Sequence, residues 1–454
     1  MRSSTISEAV NKSGSNFEDQ VQIVSAEAFK TDYIITRNPE RFRNSSIPVL
    51  TPCEFSKKLN AGKFDVITQV PFMDLKAQHY QVYNEIDDGI TDIIANTGFV
   101  LGKHVEEFEG RFAQAQEAKY CIGVSSGTAA LHIALMALGI GPGDGVIVPV
   151  NTFIATAEAV SLCGAKPVFV DCDGFYNLDI EKLREIIESK QYAAGSKQGE
   201  RQITNNDSRI TCIIPVHLYG APANMDAIMA LAEEFGLLVV EDCCQAHLAQ
   251  WYGKNVGNFG VFGAFSFYPG KNLGAYGEAG ALITNDEELY TKARMIRQHG
   301  ETKRYHHSVI GHNYRMEAIQ GAVLSAKLKF LEEWTQKRQE NACLYDELLK
   351  GIEGVQAPSE MDAAPCVYHL YVIRTDDRDG LREYLQQNGI ATGLHYPVPL
   401  HLQDAYKELG YEKGDFPAAE KAAKRILSLP MYPELTEAQI RYVCDKIKEY
   451  MTKD

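Results

Sequence analysis

The stretch Leu237-Leu-Val-Val-Glu-Asp242 indicates the fold most directly, because four apolar residues in a row are followed by two carboxylates. A strand that reads as an unbroken apolar run is covered on both faces, which is typical of parallel sheets. Three similar runs precede it, at Val146–Pro149, Pro167–Val170 and Ile210–Ile214. Helical patterns such as Met225–Phe235 separate the runs at the spacing of crossover connections, so the sequence predicts an α/β protein with a mostly parallel sheet.

The rest of the chain divides by pattern. Residues 69–325 carry the alternating strands and helices and form the predicted large domain. Residues 326–454 form a predicted smaller α+β domain, with a strand at Val367–Ile373 and a helix at Arg378–Asn388. A capping box at Thr436 is predicted to open the last helix.

Residues 1–68 are predicted to be an N-terminal extension. The first twenty residues are polar, and we expect them to be disordered. Asp32–Asn38 and Ile47–Pro52 resemble the C-terminal end of a PIN-type nuclease domain. Such a nuclease needs several acidic metal ligands, which are absent here, so we expect a fused remnant or an accessory extension without nuclease activity.

The composition excludes several functional classes. The chain has 454 residues and a net charge of -15 at pH 7, which argues against nonspecific binding to nucleic acid or to anionic membranes. No apolar stretch reaches membrane-spanning length, and the N-terminus lacks the apolar core of a signal peptide. The ten cysteines lack C-x-x-C spacing, which is typical of free thiols in a reducing cytoplasm without a structural metal site.

Two side chains are candidates for cofactor chemistry. Lys271 lies in the turn Ser266-Phe-Tyr-Pro-Gly-Lys-Asn-Leu-Gly274, directly after an apolar strand, where partial burial favours an uncharged, nucleophilic amine. Asp242 ends the strand quoted above, at the sheet edge where ligands bind in α/β proteins. A carboxylate there can keep the ring nitrogen of pyridoxal phosphate protonated, and a lysine can bind that cofactor covalently. A helix N-cap is the equal alternative for Asp242.

A turn of small residues, Ser125-Ser-Gly-Thr128, leads into an apolar helix. Such a turn presents free N–H groups and the positive end of the helix dipole to a phosphate, although a simple N-cap gives the same pattern. Ser266 could add a hydroxyl group to this phosphate site. Phe153 follows another strand and could stack on a flat ring, with core packing as the alternative.

From about Val70 onward, the sequence resembles the DegT/DnrJ/EryC1/StrS family of sugar aminotransferases, which are fold type I pyridoxal-phosphate enzymes. The resemblance covers roughly 85% of the chain. It is carried by six motifs: Phe72-Met-Asp-Leu-Lys76, Ser126-Gly-Thr-Ala-Ala-Leu131, Glu241-Asp-Cys-Cys-Gln-Ala-His247, Phe265-Ser-Phe-Tyr-Pro-Gly-Lys-Asn-Leu273, Gly277-Glu-Ala-Gly280 and Asn313-Tyr-Arg-Met316.

The resemblance implies a role for each matching residue. Lys271 would be the catalytic lysine that binds the cofactor, and Asp242 would pair with the ring nitrogen. Asn313 would reach the cofactor phosphate from a neighbouring subunit, so we expect a homodimer with shared active sites. The other expected cofactor contacts are Gly127, Thr128, Phe153, Gln245 and Ser266, and the expected substrate contacts are Arg315, His395 and Tyr396.

Lysine at position 271 also bears on the reaction, because related sugar dehydratases carry histidine there. A lysine can move a proton as a general base, which favours transamination. We therefore expect L-glutamate to give its amino group to a nucleotide-linked keto sugar in a ping-pong reaction. The segment Thr392–Gln403 resembles that of enzymes that aminate C3, so a 3-keto sugar is expected. A pyridoxal-phosphate-dependent sugar dehydratase and a pyridoxal-phosphate-binding regulatory protein are the alternatives.

The segment Arg294–His307 is the most cationic part of an otherwise acidic chain. It contains Arg294, Arg297, Lys303 and Arg304. Such a segment is a candidate site for the diphosphate of a nucleotide-linked sugar, and a solvated helix face followed by a loop is the alternative.

Overall fold

The computed structural model describes residues 23, 33–42, 45–54, 69–195, 209–362 and 364–452. They belong to two compact units, residues 1–68 and residues 69–454. In the first unit, strands Ile34–Ile35 and Val49–Leu50 pair in parallel, and a 3₁₀ helix spans Pro39–Phe42. The first twenty residues lie outside the described residues, and the resemblance to a PIN-domain tail stays a prediction.

The second unit is built on a seven-stranded sheet. Its strands are β1 (Tyr120–Val124), β2 (Asp144–Pro149), β3 (Lys166–Val170), β4 (Arg209–Ile213), β5 (Leu238–Asp242), β6 (Phe262–Ser266) and β7 (Gly280–Thr284). In space they are ordered β1-β7-β6-β5-β4-β2-β3, and the mostly parallel sheet predicted from the sequence is confirmed. Strand β7 runs antiparallel to both of its neighbours, β1 and β6, whereas the described pairings among β2 to β6 are parallel.

Helices connect these strands and continue into the C-terminal part. They are α1 (Leu75–Asn96), α2 (Lys103–Ala115), α3 (Gly127–Ala137), α4 (Ile154–Leu162), α5 (Ile180–Gly195), α6 (Met225–Phe235), α7 (Glu287–Arg297), α8 (Ala318–Leu328), α9 (Leu331–Leu349), α10 (Arg378–Gln387), α11 (Pro417–Arg425) and α12 (Glu437–Met451).

The apolar strands are explained by cores on both faces of the sheet. Val146 and Val148 of β2 pack into one core with Val240, whereas Ile147 packs into a second core with Val239. Successive side chains of a strand point to opposite faces, so both sets must be apolar. This is why the strand sequences read as unbroken apolar runs rather than as alternating ones.

The C-terminal part contains a three-stranded antiparallel sheet. Its strands are β8 (Val355–Gln356), β9 (Tyr371–Thr375) and β10 (Ile426–Leu429). The capping box at Thr436 is present, since its hydroxyl accepts from the Gln439 N–H and the Gln439 side chain accepts from the Thr436 N–H. The predicted domain boundary after residue 325 falls inside α8, so the division into domains at that point stays a prediction.

The strand predicted at Val367–Ile373 begins later, at Tyr371. The backbone N–H of Val367 donates to the Gly220 carbonyl at 3.0 Å, and Tyr368 has a φ of 44°. A positive φ is incompatible with an extended strand. The β-branched and aromatic residues before Tyr371 therefore lie in a loop that is hydrogen-bonded to a loop of the larger sheet. They are not part of strand β9.

Candidate active site

The carboxyl ends of β5 and β6 border a cavity of about 780 Å³. Parallel strands end at one edge of a sheet, which is why residues far apart in sequence meet there. Asn313 and Arg315 are not among the residues that line the cavity. The predicted site residues that do line it are Gly127, Thr128, Phe153, Asp242, Gln245, Ser266, Lys271, His395 and Tyr396.

Lys271 lies in the loop between β6 and β7, which folds tightly back on itself. Its backbone N–H donates to the Tyr268 carbonyl at 2.8 Å. A Cβ atom at Gly274 would lie 2.2 Å from the Pro269 carbonyl oxygen, so only glycine fits at this position. Burial lowers the pKa of the Lys271 amine, although the charges of two neighbouring groups oppose this effect. The uncharged amine that a nucleophile or general base requires is therefore favoured.

Asp242 is buried at the end of β5. One carboxylate oxygen accepts from the Thr156 hydroxyl at 2.8 Å, and the other accepts from the Cys244 N–H at 3.1 Å. Residues 243–249 form turns rather than a helix, so Asp242 is not the N-cap that was the alternative. The two hydrogen bonds hold the carboxylate in one orientation at the cavity wall.

The turn before α3 is both an N-cap and a part of the cavity wall. The Ser126 hydroxyl accepts from the Ala129 N–H at 3.1 Å and thereby caps the helix. A Cβ atom at Gly127 would lie 2.7 Å from Ser266 Cβ and 2.9 Å from Cys244 Sγ. The backbone of Gly127 therefore packs directly against the end of β6, where the first N–H groups of the helix favour an anion.

Another part of the cavity wall carries polar and aromatic side chains. The Gln245 side chain accepts from the Tyr219 N–H at 2.7 Å and donates to the Tyr396 hydroxyl at 3.2 Å. Phe153 is 52% exposed rather than packed in the core, and its ring lies 5.5 Å from that of Tyr396. His395 is hydrogen-bonded to Ser428 at 2.9 Å. Phe153 and Gln245 thus line the same cavity, one with an aromatic ring and the other with a hydrogen-bonding amide.

Asn313 and Arg315 lie on a segment outside the cavity. The exposed Asn313 forms a backbone bridge with Gln298, and Arg315 forms one with Val124 at the end of β1. Within one chain, neither residue is brought to the cavity that holds Lys271.

The cationic segment has two different environments. Arg297 is buried and forms an ion pair with Glu109 at 2.7 Å, so it stabilises the fold. Lys303 and Arg304 lie on an exposed hairpin that follows α7. Arg294 is exposed on α7. The diphosphate site predicted for the whole segment therefore loses Arg297 and stays a prediction for Arg294, Lys303 and Arg304.

The polar residues of the cavity wall that were not predicted include Thr156, Arg338 and His369. Thr156 is 86 residues from Asp242 in sequence, and no local pattern links them. Arg338 lies within a helix, where an arginine usually indicates an exposed face. His369 lies in a segment for which the sequence predicts a strand. The structure has a loop there instead, and this loop brings His369 to the cavity wall.

A cluster of His217, Glu241 and Cys243 has the spacing of metal ligands but is otherwise engaged. His217 accepts from the Ala223 N–H at one ring nitrogen, and its other nitrogen lies 3.2 Å from Glu241. The Glu241 oxygens also accept from three backbone N–H groups, those of residues 257, 259 and 260. These bonds explain the buried carboxylate as a structural support for the loop before β6.

Comparisons with known proteins identify relatives of this chain. Within the described part of the chain, no helix is long and apolar enough to cross a membrane. The sequence is 44% identical to the pleiotropic regulatory protein of Geobacillus stearothermophilus, over 84% of this chain and 98% of that protein. It is 42% identical to the UDP-2-acetamido-2-deoxy-3-oxo-D-glucuronate aminotransferase of Pseudomonas aeruginosa, over 83% of this chain and 98% of that protein.

A solved structure and a family comparison complete the assignment. The structure of DesV from S. venezuelae, in complex with a ketimine intermediate, matches with a TM-score of 0.79 and 40% identity, covering 85% of this chain and 99% of that one. The predicted fold type I architecture is thereby confirmed. Residues 81–448 match the sequence model of the DegT/DnrJ/EryC1/StrS aminotransferase family. The chain therefore belongs to the DegT/DnrJ/EryC1/StrS aminotransferase family.

Proposed function

We propose that the protein is a pyridoxal-phosphate-dependent aminotransferase that moves an amino group from L-glutamate to a nucleotide-linked 3-keto sugar. The observation that carries this proposal is the meeting of Lys271 and Asp242 in one cavity, beside the N-terminus of α3. A buried amine, an oriented carboxylate and an anion site are the three features that this cofactor needs from a protein.

The cavity wall fits the cofactor group by group. Gly127, Thr128 and Ser266 would hold the phosphate, because the first turn of α3 and the end of β6 meet there. Asp242 would hold the ring nitrogen protonated, and Gln245 would contact the ring hydroxyl. When bound, pyridoxal phosphate supplies an electron sink that stabilises negative charge at the α-carbon of the amino donor.

Lys271 is the group that we assign to proton transfer. Burial lowers the pKa of its amine, so a larger fraction is uncharged and able to accept a proton from the donor. His395 lines the same cavity, but burial, followed by the charge of Lys271, lowers its pKa to about 4. His395 is therefore neutral at physiological pH and is better suited to hydrogen bonding than to acting as an acid.

The proposed acceptor rests on relatives and on the segment around His395. The P. aeruginosa relative, 42% identical, is named for a nucleotide-linked 3-oxo sugar. His395 and Tyr396, which we assign to the sugar, line the cavity beside Phe153. Glutamate as the donor rests on the family resemblance of the site residues.

We also propose a homodimer with shared active sites. Asn313 matches a family residue that reaches the phosphate from a neighbouring subunit, and it lies exposed, outside the cavity of its own chain. A second copy would have to supply it. Arg315, two residues further on, would act at the same shared edge.

The test separates the two halves of the reaction. L-glutamate added to the cofactor-loaded protein should change the cofactor absorbance to that of the amine form and release an equal amount of 2-oxoglutarate. A nucleotide-linked 3-keto sugar should then restore the first spectrum faster than a 4-keto sugar does. Lys271→Ala is the control, since it should fold and give no conversion. If no amino acid converts the cofactor, the proposal is wrong.

One observation favours a second function. The G. stearothermophilus relative, 44% identical, is named as a pleiotropic regulatory protein. If this chain is a cofactor-binding regulator, a Lys271→Ala variant will keep its activity in cells while losing amino transfer. A sugar dehydratase is disfavoured by lysine at position 271, and transfer of the amino group from the cofactor to the keto sugar, with release of an amino sugar, would exclude it.

A further inference from the structure

Arg338 is a buried cation in the cavity wall that none of the roles above uses. It lies on α9, is 4% exposed and lines the same cavity as Lys271. Its Nη1 atom donates to the carbonyl oxygens of Tyr368 at 3.0 Å and Met431 at 2.9 Å. These bonds hold the guanidinium in place, while its Nε atom is buried without a hydrogen-bond partner.

The charge of Arg338 has no counterion close by. The ion pairs of the described residues do not include it, and Glu434 acts on it only from a greater distance. Of the carboxylates that line the cavity, Asp242 is bonded to Thr156, and Glu278 is exposed. Removing a charge from water without pairing it is strongly destabilising, so an anion bound here would be stabilised.

His369 lies in the same wall. Its Nδ1 atom is buried without a hydrogen-bond partner. Burial, followed by the charges of Lys271 and Arg338, keeps the pKa of His369 well below its usual value, so the ring is neutral. Arg338 donates to the carbonyl of Tyr368, the residue directly before His369, so the two side chains lie on adjoining parts of the wall. Lys271, Leu370 and Met431 line the same cavity.

We infer that Arg338, with His369 beside it, binds a carboxylate of the amine donor. This inference rests on the proposed function, and it restricts the donor to amino acids rather than simple amines. A guanidinium is suited to the task because its planar N–H groups match a carboxylate. Binding the carboxylate beside Lys271 also positions the donor's α-carbon for loss of its proton.

Two substitutions and a matched control test the role of Arg338. Arg338→Gln removes the charge, and Arg338→Lys keeps the charge but loses the planar group. Arg378→Lys is the control, because Arg378 is also buried and donates from Nη1 to two carbonyl oxygens, those of Ala423 and Ile426, but does not line the cavity. Thermal melting of each variant measures the structural contribution of the arginine.

The functional measurements separate donor binding from the rest of the reaction. Calorimetry measures binding of glutarate, an unreactive dicarboxylate, to the cofactor-loaded protein. Stopped-flow absorbance gives the KM for glutamate in the donor half-reaction. The acceptor half-reaction is measured on protein loaded directly with pyridoxamine phosphate and mixed with the keto sugar.

For Arg338→Gln, we expect the dissociation constant of glutarate and the KM for glutamate to rise by about a hundredfold. A loss of this size is typical when one partner of a buried charge pair is removed. The acceptor half-reaction should change by less than about twofold, since it does not use this carboxylate site. Arg338→Lys should give an intermediate loss, and Arg378→Lys should leave all three values unchanged. A second donor, alanine, then shows which carboxylate Arg338 binds. A higher KM for both donors would show that Arg338 binds the α-carboxylate, whereas a higher KM for glutamate alone would show that it binds the side-chain carboxylate.

Two results would overturn the inference. One is an unchanged KM for glutamate in both Arg338 variants. The other is an equal loss in the two half-reactions, which a structural role would produce. If the wild-type protein converts no amino acid at all, it is the proposed function that fails, so the two failures are distinguishable. If Arg338→Gln does not fold, the charge-conserving Arg338→Lys variant decides between the same outcomes.

Discussion

Replacing Lys327 with methionine should change how the stability of the protein depends on pH. Lys327 lies on α8 and is 2% exposed. Its amine donates to the Gly274 carbonyl at 2.8 Å and to the Gln78 side chain at 2.9 Å, and it lies 4.7 Å from the centre of the Tyr276 ring. Lys327 thus connects α1 and the loop of the proposed catalytic lysine to α8.

The magnitude follows from the buried charge. Burial lowers the pKa of Lys327 from 10.5 to about 8, against the opposing charge of Glu434. Between these two values the unfolded chain holds the proton and the folded chain does not, so the stability of the wild-type protein rises with pH. This shift in pKa lowers the free energy of unfolding by about 3 kcal/mol at about pH 8. About 2 kcal/mol of that stability is regained by about pH 10.

Methionine has a similar length and no proton to lose, so the variant should lack this rise. The loss of two hydrogen bonds costs about 1–3 kcal/mol at every pH, whereas removal of the buried charge is favourable mainly below about pH 8. The wild-type protein should therefore gain about 2 kcal/mol of stability over the variant between about pH 8 and about pH 10.

Urea unfolding at several pH values in this range gives the free energies of unfolding for the comparison. Lys329→Met is the control, since Lys329 follows the same helix but is half-exposed, in an ion pair with Glu85. An exposed pair contributes at most about 1 kcal/mol, so the control should not reproduce the pH-dependent difference. Parallel stability curves for the wild-type protein and Lys327→Met would refute the reasoning.

The remaining predictions concern the proposed cofactor site. Thr156→Val removes the hydroxyl that orients Asp242 and should weaken pyridoxal-phosphate binding about tenfold, as measured by fluorescence titration; unchanged affinity would contradict that role. Gly127→Ala places a Cβ atom 2.7 Å from Ser266 and should abolish cofactor retention on gel filtration, whereas a variant that retains cofactor would show that the turn can move. Mixing Lys271→Ala and Asn313→Ala subunits should restore activity in mixed dimers, and no restoration would count against a shared site.

The parts of the site that the sequence predicted lie at the ends of buried strands or in turns. Asp242 is the last residue of one apolar strand, and Lys271 is the fifth residue after another. Local patterns determine where such strands end, and the parallel topology brings their ends to one edge. The turn that we propose to bind phosphate was predictable for the same reason, since it joins β1 to the N-terminus of α3.

The tertiary structure decided the contacts between distant segments. Thr156, in the first turn of α4, donates to Asp242 at the end of β5. Arg338 donates to the Tyr368 carbonyl, next to His369, in the loop that replaces the predicted strand before Tyr371. Whether a helical arginine is exposed or forms part of a cavity wall depends on what packs around the helix, which short-range patterns do not encode. The sequence by itself therefore determined the sheet and the placing of Lys271 and Asp242 at its edge, whereas the environment of Arg338 required the folded chain.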